Sequence, residues 1–340
     1  MSLLLPDKKR WLESLSFLEQ KDGLEPLPVY TPNLIEVMKT GSEENLPWTL
    51  FVEGMLILLA ADPDFTHAQV YREKLSSDPA LLPLIRQRLD ELAELRHPLA
   101  FPFAVGLYAM APDQITAALL SALYLSEDPE ESLRLFDAAK STDDPEALKR
   151  LLPVARQLKP EETERLLAGL IEKDPAGAQL YRGQLHVLQQ ERALTEAQKA
   201  LEREDFHRVI EIADDIGETL RTPELTALRG TANQGLGLFD ASIRDLEEAI
   251  QKGAASPERY NDLSIAYYLT GDAEQAIETL LEGIRILGED ERMLYNLFVY
   301  GMQTDRTDLA AESLEKLRQM HIRDPQIRQD LARIFTSPEE

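Results

Sequence analysis

The sequence predicts an all-α protein whose second half is an α-solenoid of helix–turn–helix repeats, preceded by a helical N-terminal region. Three observations carry that expectation. Long segments are rich in Leu, Ala, Glu, Arg and Gln, which are good helix formers. Prolines recur at near-regular intervals through the first half, often after Asp. From Pro223 onward, small and large residues repeat every 34 positions. Strands are not expected, because no alternating apolar and polar run is bounded by hairpin turns.

The prolines order the first half. Pro32, Pro47, Pro63, Pro79, Pro98, Pro112, Pro129, Pro145, Pro160 and Pro175 follow at intervals of 15, 16, 16, 19, 14, 17, 16, 15 and 15. Five stand in the context Asp62-Pro63, Asp78-Pro79, Asp128-Pro129, Asp144-Pro145 and Asp174-Pro175. Proline suits the first helical position, where no N–H is needed, and Asp before it can cap the free N–H groups. Glu130, Glu131, Glu146, Glu161 and Glu162 then favour the positive end of the helix dipole. Each proline is therefore expected to open a helix of about 12 residues. Helical stripes such as Leu133, Phe136, Ala139 and Leu166, Leu167, Leu170 fit between them. Pro83, Pro102 and Pro153 fall out of register and predict kinks or late starts. Residues 1–188 thus form paired helices, either a divergent superhelix or a separate domain. Ala176–Glu204 lacks proline and reads as one long helix, with Gly183 its weak point.

Apolar stretches test for a membrane span. The tract from Pro98 to Leu125 is broken by Asp113 and Gln114 and carries Pro102 and Pro112. A span needs about 20 apolar residues without a central charge. Two buried helices with a turn at Ala111–Asp113 are expected instead. Trp48–Ala61 is too short and contains Glu53. At the N-terminus, apolar Met1–Leu5 precedes Pro6, Asp7, Lys8, Lys9 and Arg10, the reverse of a signal peptide. A cytoplasmic protein without membrane contact is expected.

Charge and cysteine content narrow the function. The 340 residues hold 61 acidic and 36 basic side chains, a formal net charge of -25, which repels phosphate backbones. A nucleic-acid partner is therefore not expected. The absence of cysteine removes disulfides, thiolate metal sites and cysteine nucleophiles.

The second half carries the strongest pattern. Pro223 and Pro257 are 34 residues apart, and Pro325 lies 68 beyond Pro257. In window 223–256, Gly230, Ala232, Gly237, Phe239, Leu246 and Ala249 hold places 8, 10, 15, 17, 24 and 27. In window 257–290, Tyr260, Leu263, Ser264, Tyr267, Gly271, Ala276, Leu280 and Gly283 hold places 4, 7, 8, 11, 15, 20, 24 and 27. In window 291–324, Leu294, Leu297, Phe298, Gly301, Ala310, Leu314 and Leu317 hold places 4, 7, 8, 11, 20, 24 and 27. This resembles the tetratricopeptide repeat, a 34-residue helix–turn–helix unit. Small residues at 8, 20 and 27 let paired helices approach, and large ones at 4, 7, 11, 17 and 24 fill the gaps. Ala273-Glu274-Gln275-Ala276-Ile277 after Thr270-Gly271-Asp272 is the closest match. Thr226 and Arg229 depart from the pattern at places 4 and 7. A weaker unit covers about 189–222, with Phe206 beginning its second helix, and 325–340 reads as a capping helix and tail.

Motifs for chemistry are sparse. His67, His97, His186, His207 and His321 make no HExxH and no metal-ligand spacing. Gly235-Leu236-Gly237 has only the first two glycines of GxGxxG and falls at a repeat turn. There is no GxxxxGK[ST] and no GxSxG. Asp62 and Asp64 are too few for a calcium loop. Asp143-Asp144 reads as a helix start with Asp144 as cap, and Asp214-Asp215 as a solvated helix end. No catalytic residue, metal or cofactor is expected.

What the resemblance implies is protein binding. In that family, places 2, 5, 6, 9, 12 and 13 of each first helix line a concave groove. Here they hold Glu224, Ala227, Leu228, Thr231, Gln234 and Gly235, then Glu258, Asn261, Asp262, Ile265, Tyr268 and Leu269, then Arg292, Tyr295, Asn296, Val299, Met302 and Gln303. The expected partner-binding residues are Asn261, Ile265, Tyr268, Arg292, Tyr295, Asn296, Val299 and Met302. Asn261 or Asn296 could bond a peptide backbone, while Tyr268 and Tyr295 supply aromatic anchors. The family's carboxylate clamp, Lys at place 5 and Asn at place 9, is missing here. A basic or amphipathic protein or peptide segment fits the acidic chain best. Two alternatives stand beside this scaffold reading. One is a self-associating homo-oligomer, with 98–125 as interface if exposed. The other is a divergent enzyme or ligand sensor whose N-terminal half holds a polar pocket with clustered titratable groups.

Overall fold

The structure is a computed structural model that describes residues 5–18, 26–39 and 46–336. Met1–Leu4 of the apolar N-terminus and the tail beyond 336 lie outside the described residues. The chain divides into two compact units, Met1–Leu185 and His186–Glu340.

The first unit begins with α1 (Lys8–Glu13), β1 (Leu15–Leu18), β2 (Leu27–Tyr30), α2 (Thr31–Lys39) and α3 (Trp48–Ala61). β1 and β2 form an antiparallel ribbon, with Leu15 opposite Tyr30 and Leu18 opposite Leu27. The expectation of no strands is corrected here. Four-residue strands are too short to show an alternating pattern, and burial of Val29 and Pro28 against α3 decides their state. Gly54 permits that contact: a Cβ there would lie 2.0 Å from the Pro28 carbonyl oxygen.

Next come α4 (Ala68–Ser76), α5 (Leu81–Glu94), α6 (Ala100–Met110) and α7 (Gln114–Tyr124). The apolar tract is two helices turned at Ala111–Asp113, as expected, and Asp113 caps α7 by accepting from the Thr116 amide at 2.9 Å. Residues Ala100, Pro102 to Leu107 and Thr116 to Ser121 are buried, so this tract is core and not exposed interface. α6 crosses α3 closely, since a Cβ on Gly106 would meet the Leu56 oxygen at 2.1 Å. α8 (Pro129–Ala139), α9 (Pro145–Leu158) and α10 (Thr163–Lys173) complete the unit, before α11 (Ala178–Glu202), a single 25-residue helix that runs across the unit boundary. Ser121 and Ser132 each donate to the other's backbone oxygen, at 2.8 and 2.7 Å, and join α7 to α8.

The proline series marks helix starts in most places. Pro129 and Pro145 are first residues, with Asp128 and Asp144 accepting from the Glu131 and Ala147 amides. Pro160 opens a 3-10 turn that leads into α10. Pro63 departs, because Asp62 already ends α3 and α4 starts only at Ala68. Pro175 stands in a turn three residues ahead of α11, where Asp174 accepts from the Gly177 amide. Pro83 and Pro102 are third residues of α5 and α6, whereas Pro153 lies inside α9.

The second unit continues with α12 (Phe206–Asp215), α13 (Pro223–Gly235), α14 (Phe239–Gln251), α15 (Pro257–Leu269), α16 (Ala273–Leu287), α17 (Glu291–Gln303), α18 (Thr307–Gln319) and α19 (Pro325–Thr336). Each 34-residue window holds one helix pair, so this unit is a solenoid of helix–turn–helix repeats. Gly230, Ser264, Ala276 and Ala310 sit where paired helices meet, and all are buried. The turn inside each pair needs a left-handed residue: Gly237, Gly271 and Asp305 have φ of 76, 90 and 59°. The weaker unit is one residue out of phase. Its equivalents are Glu204, with φ of 58°, and the capping Asp205. α19 packs Ile327 and Leu331 against Leu294 and Leu317, closing the end of the core.

Candidate functional site

The first helices of successive repeats are stitched together by side chains at the predicted groove places. Thr231 on α13 donates to Asp262 on α15 at 2.9 Å. Asn296 on α17 donates its amide to the Asn261 Oδ1 at 2.7 Å. Tyr295 donates its hydroxyl to Asp330 of α19 at 3.1 Å, and Arg292 lies 3.4 Å from the Asp324 carboxylate. The two amides predicted to meet a peptide backbone therefore bond each other, and Asn261 is buried. Tyr295 is half-buried against the cap helix.

Toward the turn end of the same helices the strip becomes apolar. Tyr268 stacks on Tyr300, with ring centroids 4.3 Å apart and planes 8° apart. Burial pushes the Tyr300 hydroxyl up to about 12, with Ser264 opposing and Tyr268 adding. Ile265 and Val299 are half-buried. Leu269 and Met302 are 52 and 55% exposed. Sequence reasoning placed Leu269 on this strip but did not single it out; its exposure depends on what packs around it.

Electrostatics along the strip are uneven. Burial raises the Asp262 carboxyl above its ordinary value, while the Thr231 hydroxyl and Arg292 pull it back. Glu258 is held low by its own backbone amide and the Ser256 hydroxyl. Asp324 is held low by the amides of Ile327 and Gln326, as expected at a helix start, and by Arg292.

The departures at places 4 and 7 of the first full repeat have a local explanation. Arg229 takes the place of Leu and makes two bonds to Asp245 at 2.6 and 2.9 Å, with Asp214 a third partner at 2.7 Å. Asn233, where the next repeat has Tyr267, donates to the same Asp245 at 2.9 Å. Thr226 donates to the Thr222 carbonyl one turn back. The Asp214-Asp215 pair ends α12, and Asp214 also meets Arg221 at 3.4 Å. Asp144 caps α9, and Asp143 faces Lys173 at 3.7 Å. Among the described residues, no group of three or more His, Asp or Glu could hold a metal ion. Among them, no helix is long and apolar enough to cross a membrane.

No family model matches the chain, and no curated protein matches it. Solved structures similar to it include MamA from Desulfovibrio magneticus, at 18% identity and TM-score 0.33, covering 58% of this chain and 99% of that one. PilF of Pseudomonas aeruginosa is similar at 12% identity and TM-score 0.36, over 65% and 97% of the two chains. The TPR2AB domain of yeast Sti1, solved as a pHSP90 complex, is similar at 12% identity and TM-score 0.33, over 69% and 99%. Similarity at this level assigns no function.

Proposed function

We propose that the chain is a non-catalytic protein-interaction scaffold that binds a peptide or protein segment along the groove formed by its first helices. The observation that carries this is the apolar end of the strip. Leu269 and Met302, at groove places 13 and 12, leave about half their surface in water, and Tyr268 of the same strip stacks on Tyr300. Exposed apolar side chains gathered in one place mark interaction surfaces more often than isolated ones do. Asp262 supports a basic or amphipathic partner. Its carboxylate is costly to keep charged where it stands, and a partner Lys or Arg would offset that cost. Arg292 is already engaged with Asp324, which leaves the strip net acidic.

Affinity capture from native extract, with cross-links mapped by mass spectrometry, supplies the segment. Calorimetry with that peptide then compares the parent with Leu269→Asp combined with Met302→Asp. Both positions are exposed, so circular dichroism should be unchanged. Affinity should fall about tenfold or more, as for loss of an interface anchor. Unchanged affinity would move the site off this strip.

A further inference from the structure

α3 is apolar along its length except at Thr49 and at Glu53, which is 3% exposed. Its Oε2 accepts from the Asn33 amide on α2 at 2.6 Å, and its Oε1 accepts from Arg88 Nε on α5 at 3.1 Å. Arg88 also donates from Nη1 to Glu91 Oε2 at 3.1 Å. Over this group lies a cleft of about 390 Å³. Its apolar walls are Val52, Leu84, Ile85 and Phe103, and Leu84 is 46% exposed at the rim.

A buried carboxylate in an apolar helix is expensive, and apolar packing would join the helices at lower cost. A cleft of this size, walled by apolar side chains with a few convergent polar groups, is how small-molecule sites are built. The charge decides the ligand. Glu53 in the floor and Glu91 at the rim, against Arg88, leave the cleft one net negative charge. Thr49 and Gln87, the other polar residues lining it, are neutral. An anion would face two carboxylates. A cation would find carboxylate lone pairs that Arg88 does not use.

We propose that this cleft binds a small organic amine, its ammonium on Glu53 and Glu91 and its apolar body against Val52, Leu84, Ile85 and Phe103. This site is independent of the repeat strip, so failure of either proposal leaves the other standing.

The test is calorimetric titration of the full chain with phenethylamine, and with phenylethanol and hydrocinnamate as its neutral and anionic counterparts. Phenethylamine should bind saturably with one-to-one stoichiometry. The alcohol should bind about tenfold more weakly, the cost of one charge-assisted bond, and hydrocinnamate not at all. Glu53→Gln would disturb the packing of α2 and α5, so the variants are placed at the exposed rim. Glu91→Gln should weaken amine binding about tenfold with an unchanged thermal midpoint. Leu84→Arg, which sets a cation at the mouth, should abolish it. Absence of saturable amine binding, equal binding of the carboxylate, or affinity unchanged in both variants would each overturn the proposal.

Discussion

Arg229 grips Asp245 with two hydrogen bonds, from Nη2 at 2.6 Å and Nε at 2.9 Å, across the interface between α13 and α14. Both side chains are largely buried, and Asn233 bonds the same carboxylate. Arg229 and Asn233, both bound to Asp245, thus stand at the places that Leu263 and Tyr267 hold in the next repeat. Burial alone would lower the affinity of Arg229 for its proton, but the bonds to Asp245 and Asp214 outweigh it and hold the guanidinium charged.

Removing one partner strands the other. Arg229→Leu should cost about 3 kcal/mol or more, because a buried carboxylate loses its counter-charge. Arg229→Leu with Asp245→Leu should cost less than the sum of the single changes. Urea unfolding of the four proteins measures the coupling. Additive losses would show that the pair does not act as a unit.

The turn residues separate glycine from its substitutes. Gly271→Ala should destabilise by about 1 kcal/mol, since a Cβ is strained in the left-handed region. Asp305→Gly and Glu204→Gly should stabilise, by a few tenths up to about 1 kcal/mol each, at the equivalent turns. Thermal unfolding checks all three, and a loss in both glycine variants would count against the shared turn geometry.

Two helical glycines predict opposite outcomes. Nothing lies within 4 Å of a Cβ placed on Gly183, which is exposed in the second turn of α11. Gly183→Ala should therefore stabilise by about 0.5–1 kcal/mol through helix propensity. Gly106→Ala should destabilise by more than that, because the Leu56 backbone stands where the methyl would go. The measurement is the shift in unfolding midpoint of each variant.

Asp262 sets a pH dependence. Its folded pKa is raised above the ordinary 3.8, mainly by burial. The folded protein therefore holds this proton more tightly than the unfolded chain. Stability from this group is greatest below the ordinary value and is lost as pH rises through the folded pKa. Asp262→Asn removes the titration while leaving Thr231 a partner. Its midpoint at neutral pH should equal or exceed the parent's, and its stability should vary less as pH rises above the ordinary carboxylate range. A lower midpoint with an unchanged pH profile would assign Asp262 a purely structural role.

The helix pairs, their 34-residue phase and most helix starts were legible in the sequence, because each rests on chemistry local to the backbone. Asp128, Asp144 and Asp272 cap helices wherever they fall, glycine takes the left-handed turn at Gly237 and Gly271, and Gly230 and Ala276 admit a neighbouring helix. Pro63 shows the limit of such local rules: a proline can end a segment as readily as start one, and the packing around α3 decided which. The β1–β2 ribbon, the burial of Glu53 beneath a cleft, the Arg229–Asp245 pair and the mutual bond of Asn261 and Asn296 depended on residues 9 to 35 positions apart. The periodicity of one helix says which face it buries but not which side chain it meets there. Along the strip of first-helix side chains, that pairing decides which polar groups are already satisfied; Met302 was legible from its repeat place, whereas the exposure of Leu269 was decided only by the tertiary structure.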